Sequence, residues 1–167
     1  MAHFFALFLA LLVAKGYCTY CSTEQLFDID FCTHDIQGLS PNSLDFLGFC
    51  NSTISCLEAI NCTKAEDRTK QISDTCEYSQ YYATDFATCA NTIKNDELAC
   101  TPEFEKFISS PVIDQSGCHR YNEVLNCIFY EINELCGDDD DILNLGFLKQ
   151  SNKLEIAKMC WPEYYMP

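Results

Sequence analysis

The chain carries thirteen cysteines, and that odd number constrains its fold more than any apolar pattern does. Twelve stand at Cys21, Cys32, Cys50, Cys56, Cys62, Cys76, Cys89, Cys100, Cys118, Cys127, Cys136 and Cys160; the thirteenth is Cys18. Residues 4–14 read FFALFLALLVA, an apolar run shorter than the roughly 20 residues needed to cross a bilayer. Its place at the extreme N-terminus, with small residues just after it, is that of a secretory signal peptide. A buried first helix would interleave polar residues at a period of about 3.6, and this run has none. Ala14 and Gly16 suit a cut before Tyr17, whereas Gly16 and Cys18 nearly suit one before Thr19. The second cut leaves twelve cysteines that can all pair, so the reading favours a signal peptide over residues 1–18 and a domain over 19–167. The cut before Tyr17 stays open as the alternative, and it leaves one odd thiol.

Cys18-Thr-Tyr-Cys21 has redox spacing, but no strand-to-helix pattern of a βαβ unit follows it. A zinc site needs a second ligand pair at matching spacing, and His34 and His119 each stand alone. No cofactor and no metal ligand set is expected. An exported chain meets an oxidising compartment, where twelve cysteines are read as disulfides.

Charge narrows the partners. The formal net charge is −15, from 25 acidic and 10 basic residues. Such a surface repels phosphate backbones and anionic headgroups, which disfavours nucleic acid and membrane-surface partners. Lys64, Arg68 and Lys70 gather once, and a solvated helix face accounts for them. No second apolar stretch is long enough to span a membrane, and the final residues MCWPEYYMP form neither a lipid-anchor tail nor a retention signal. The expectation is a secreted, extracellular protein. Two acceptor sequons, Asn51-Ser52-Thr53 and Asn61-Cys62-Thr63, make Asn51 and Asn61 its expected glycosylation sites.

Helical periodicity dominates the rest. A segment opened by Ser40-Pro41 runs to about Ile60 and gathers Phe46, Leu47, Cys50, Ile54 and Leu57 on one broad half. A second run over roughly 67–93 places Ile72, Cys76, Phe86, Cys89 and Ile93 near one face. Thr101-Pro102-Glu103 has the composition of a helix start, and the helix is expected to reach Ile108 before the loop SSPVIDQSG. His119 to Cys136 is the clearest helix, with Tyr121, Leu125, Ile128, Ile132 and Leu135 in one stripe and Gly137 closing it. The segment DDDDILNLGFLKQSNKLEIAKMCW adds one broken or two short helices.

Cys118, Cys127 and Cys136 recur at intervals of nine along that clearest helix. Nine residues rise roughly 13 Å, beyond the 7 Å or so that a disulfide bridges between Cα atoms. None of the three can pair with another, so each must reach a different neighbour, which makes this helix the expected hub. The same arithmetic forbids a Cys50–Cys56 bridge. These features together predict a single all-α domain stapled by disulfides.

Cys50-x5-Cys56-x5-Cys62, then Cys76, Cys89 and Cys100, then Cys118-x8-Cys127-x8-Cys136-Gly137 and Cys160, form a grid. It resembles a nematode family of secreted cysteine-rich proteins known as domain of unknown function 19. The resemblance runs from Cys21 to Cys160, and the stretch 101–117 carries no match. It implies an exported helical domain and brings no catalytic residues.

Two stretches invite chemistry. Cys32-Thr33-His34-Asp35 resembles the Cys-x-His-Asp of secreted phospholipase A2, which works through a calcium-bound water. That chemistry needs a glycine-rich calcium loop upstream, and TYCSTEQLFDIDF contains no glycine. His119 beside Arg120 is a helix-start residue with no nucleophile at a readable spacing. The consecutive acids Asp138 to Asp141 lack the alternate spacing of a calcium loop, and a helix macrodipole explains them. The chain is therefore expected not to be an enzyme. Two function classes remain: an extracellular interaction protein with an unknown protein partner, or a carrier of a small apolar, lipid-like ligand. In the second, Tyr78, Tyr81, Tyr82 and Phe86 would line a cavity of the helical bundle, although filling a core is the commoner use of such side chains.

Overall fold

A computed structural model describes residues 20–95, 100–109, 115–136 and 140–160, and every regular element among them is helical. In order these are α1 (Thr23–Thr33), a 3-10 turn (His34–Ile36), α2 (Leu44–Glu58), α3 (Thr63–Ala83), α4 (Ala87–Lys94), α5 (Thr101–Ser109), α6 (Gln115–Leu135), α7 (Asp140–Ser151) and α8 (Glu155–Cys160). The fold is all-α, as the periodicity predicts. Residues 1–18, both cut sites, Cys18 and Gly137 lie outside the described residues.

Four boundaries differ from the sequence reading, each for a local reason. Helix α1 was not foreseen. It starts on a capping box in which Ser22 Oγ accepts from the Gln25 amide at 3.2 Å and Gln25 Oε1 accepts from the Ser22 amide at 2.9 Å. Helix α2 starts at Leu44 rather than at Ser40-Pro41, because Ser43 is its cap and Ser43 Oγ accepts from the Phe46 amide at 3.1 Å. The single run expected over 67–93 is two helices. Thr84 leaves helical geometry at φ −117°, ψ −81°, and the Phe86 amide turns back to the Tyr81 carbonyl at 3.0 Å. Helix α6 begins at Gln115, so it takes in the end of the loop expected through Gly117.

The core is double. One cluster joins Ile29 of α1, Ile36, Phe46, Cys50 and Leu57 of the turn and α2, and Cys62, Ala65, Ile72 and Cys76 at and along the start of α3. The other is built on Tyr78 at the far end of α3, with Phe86, Phe104, Tyr121, Ile132 and Phe147 from α4 to α7 and the turn before α4. Helix α3 spans both; its 21 residues extend about 31 Å. Gly146 lets α7 come close to it, since a Cβ there would stand 2.7 Å from the Tyr81 hydroxyl oxygen.

The disulfides follow the same division. Cys21–Cys62, Cys32–Cys56 and Cys50–Cys76 staple the first half, while Cys89–Cys136, Cys100–Cys127 and Cys118–Cys160 staple the second. None of the six crosses between residues 21–76 and 89–160. Their Cα separations run from 5.1 to 6.1 Å, inside the range a disulfide spans. Cys118, Cys127 and Cys136 go to three different segments, as helix geometry requires. The hub expectation is corrected in scope: α6 organises the second half alone, because the first closes on α2 and α3. Across the junction the Tyr78 hydroxyl donates to Asn42 Oδ1 at 2.8 Å, and Lys153 pairs with Glu77.

Candidate functional site

Among the described residues, the outer face of α1 exposes two large aromatic side chains. Ile29 and Thr33 point inward, which leaves Phe27 and Phe31, one helical turn apart, 74% and 80% exposed. Two large aromatic rings in water are costly, at roughly 25 cal/mol per Å² of apolar surface left unburied. Glu24, Asp28, Asp30 and Asp35 are exposed on the same short segment. The Cys21–Cys62 and Cys32–Cys56 bridges tie both ends of α1 down, so these rings are presented on a fixed frame. Sequence reasoning missed this face because it missed α1. The Ser22-x-x-Gln25 capping box is the signal that would have found it.

Of the expected glycosylation sites, Asn51 is exposed on α2 and Asn61 is exposed in the turn before α3. The Asn61 carbonyl accepts from Gln25 Nε2 at 3.2 Å, and Cys62 beside it is fully buried in its bridge. Among the basic residues, Lys64 and Lys70 are solvated as expected. Arg68 is half-buried instead, and its Nη1 donates to Gln71 Oε1 at 3.2 Å. His34 is exposed at the start of the 3-10 turn, and His119 is exposed 3.7 Å from Glu123. Asp138 and Asp139 lie outside the described residues, while Asp140 and Asp141 open α7.

Of the aromatic residues expected to line a cavity, two sit in the core and two, Tyr81 and Tyr82, are half-buried against it. Tyr78 and Phe86 are buried, and the void bounded by Tyr82, Phe86, Phe104 and Phe147 holds about 10 Å³, at the lower limit for a single water. Burial holds the phenols neutral. It drives Tyr78 well above the usual tyrosine range, pushes Tyr82 up to about 12 with Glu105 adding to it, and raises Tyr121. Cys100, Cys127 and Glu131 offer atoms within 4.8 Å of one another, an arrangement that resembles a metal ligand set. Two of the three are joined in a disulfide and have no thiolate to give, and Glu131 Oε1 accepts from the Cys100 amide at 2.7 Å.

The sequence profile of a family described as "Domain of unknown function (DUF19)" matches residues 14–159. The chain belongs to that family. This DUF19 chain is also similar to UPF0376 protein F10G2.1 of Caenorhabditis elegans, 26% identical over 112 residues. That match covers 58% of this chain and 55% of the relative, so the DUF19 chain spans about half the length of the curated relative it matches. No solved structure matches it. No helix among the described residues of the DUF19 chain is long and apolar enough to cross a membrane.

Proposed function

We propose that this DUF19 chain is a secreted, non-catalytic interaction protein that works outside the cell, exported by a signal peptide over residues 1–18 and glycosylated at Asn51 and Asn61. The observation that carries this reading is the pair Phe27 and Phe31, held out from a helix whose two ends are stapled. Exposed aromatic rings on a rigid frame are what a protein partner buries as anchors. The acidic rim around them, on a chain of net charge −15, suits a basic partner surface. Six disulfides support an oxidising compartment. The carrier reading, with its ligand among Tyr78, Tyr81, Tyr82 and Phe86, has support only from the aromatic content, because the void that Tyr82 and Phe86 border is about 10 Å³.

Expression of the full-length chain in animal cells tests this. The protein should accumulate in the medium, gain gel mobility when an N-glycosidase is added, and start at Thr19. Retention in the cytosol with free thiols would overturn the reading.

A further inference from the structure

A cleft of about 200 Å³ opens where the two stapled halves meet. Ile36, Leu39, Pro41 and Ile72 wall it from the first half, and Ile108 and Leu154 wall it from the second. Gln37, Gln71, Thr75 and Ser109 supply polar groups. Among its described lining residues Arg68 is the one that carries charge. The chain has 25 acidic residues, yet none of the described lining residues is a carboxylate.

Arg68 is one of two arginines, and the two are placed in opposite ways. Arg120 is clamped by Glu103 at 2.7 and 2.9 Å and by Glu123 at 3.2 Å. Arg68 makes no ion pair among the described residues, although Asp30 and Asp67 line a neighbouring groove that it also borders. One contact to Gln71 positions its guanidinium and leaves most of its N–H donors for another acceptor. A guanidinium at the edge of an apolar wall is more strongly attractive to an anion than one in open water, because the wall lowers the local dielectric.

We propose that this cleft binds a small organic acid, a monocarboxylate with a short alkyl or aromatic body. The carboxylate lies on Arg68, where the planar fork matches its two oxygens, with Gln37 and Gln71 beside it. The apolar body lies against Ile36, Leu39, Ile72, Ile108 and Leu154. Within this cleft a phosphate or sulfate dianion would meet one cation, Arg68, because Lys64 lines the adjoining groove together with Asp30 and Asp67. A long-chain lipid is too large, since drug-sized ligands already occupy roughly 300–1,000 Å³. The ligand would touch both halves at a junction no disulfide crosses. This site does not depend on the role of Phe27 and Phe31.

Calorimetric titration of the glycosylated, fully oxidised protein with octanoate and with octanol tests the proposal, paired with the variant Arg68→Gln. Octanoate should bind at least about tenfold tighter than octanol, and Arg68→Gln should bring octanoate down to the octanol level without altering the circular dichroism. Octanoate should shift the methyl resonances of Leu39, Ile72, Ile108 and Leu154 in the wild-type protein. Absence of saturable octanoate binding, equal affinity for octanoate in Arg68→Gln, or shifts confined to other residues would each overturn it.

Discussion

Residues 21–76 close around nine buried core side chains, three of them disulfide cysteines and one of them, Phe46, aromatic. Residues 78–160 close around sixteen, with the rings of Tyr78, Phe86 and Phe104 gathered on Phe147 at centroid distances of 6.5, 4.9 and 5.7 Å. Each half has three disulfides. The comparison separates two ways of closing a small helical unit. The second half has an interior large enough to contribute most of its own stability, whereas the first is a thin layer of three helices that depends on its covalent ties.

Phe147→Ala should have the largest effect of any single apolar truncation, because Phe147 meets Tyr78, Phe86, Phe104 and Phe129 and is 1% exposed. A loss of about 3–5 kcal/mol in chemical denaturation is expected. Hydrogen exchange should show that loss in α4 to α8, with α1 and α2 less affected. Removal of one staple from the first half by Cys50→Ala/Cys76→Ala should cost about 3 kcal/mol. Its exchange signature should be the converse: protection lost in α1, α2 and the first turns of α3, and kept in α6. Uniform loss in either variant would show that the halves unfold as one unit.

Alkaline pH separates the halves by chemistry. The buried phenols Tyr78 and Tyr121 and the half-buried Tyr82 all lie in the second half, whereas Tyr20, before α1, is exposed. Their pKa values are raised in the folded protein, so the folded state holds protons that the unfolded state releases. Stability from this source is complete below about 10, the unfolded value, and falls as pH rises through about 12, where Tyr82 ionises. Tyrosinate absorbance should therefore rise in step with loss of helix signal from α4 to α8. Ionisation of Tyr78 or Tyr121 without unfolding would contradict their burial. The smallest of these effects belongs to Ser22→Ala, which removes the α1 cap and should cost about 1 kcal/mol, confined to exchange near the start of α1.

Much of the second half is readable in the sequence because its helices announce themselves. The Tyr121, Leu125, Ile128, Ile132 stripe is buried along its length, and Thr101-Pro102-Glu103 opens α5 where expected. The first half is less readable for a physical reason. On α1 the inward residues are Ile29 and Thr33 while Phe27 and Phe31 face water, so apolar periodicity points to the wrong side and only the cap is informative. The break at Thr84 carries no glycine or proline; a β-branched residue whose Oγ1 donates to the Gln80 carbonyl at 2.8 Å marks it instead. Helix geometry excludes bridges among Cys118, Cys127 and Cys136, yet it does not assign their partners, so the division of six bridges into two sets is invisible in the sequence. The Arg68 cleft is invisible too, since its walls come from the 3-10 turn, α2, α3, α5 and the turn after α7.

Peptide mapping of the native, unreduced protein tests the division of the six bridges into two sets. Proteolysis between the cysteines, followed by mass spectrometry, should recover Cys21–Cys62, Cys32–Cys56 and Cys50–Cys76 from the first half and Cys89–Cys136, Cys100–Cys127 and Cys118–Cys160 from the second. A bridge joining any cysteine of residues 21–76 to one of residues 89–160 would show that the two halves are not separately stapled.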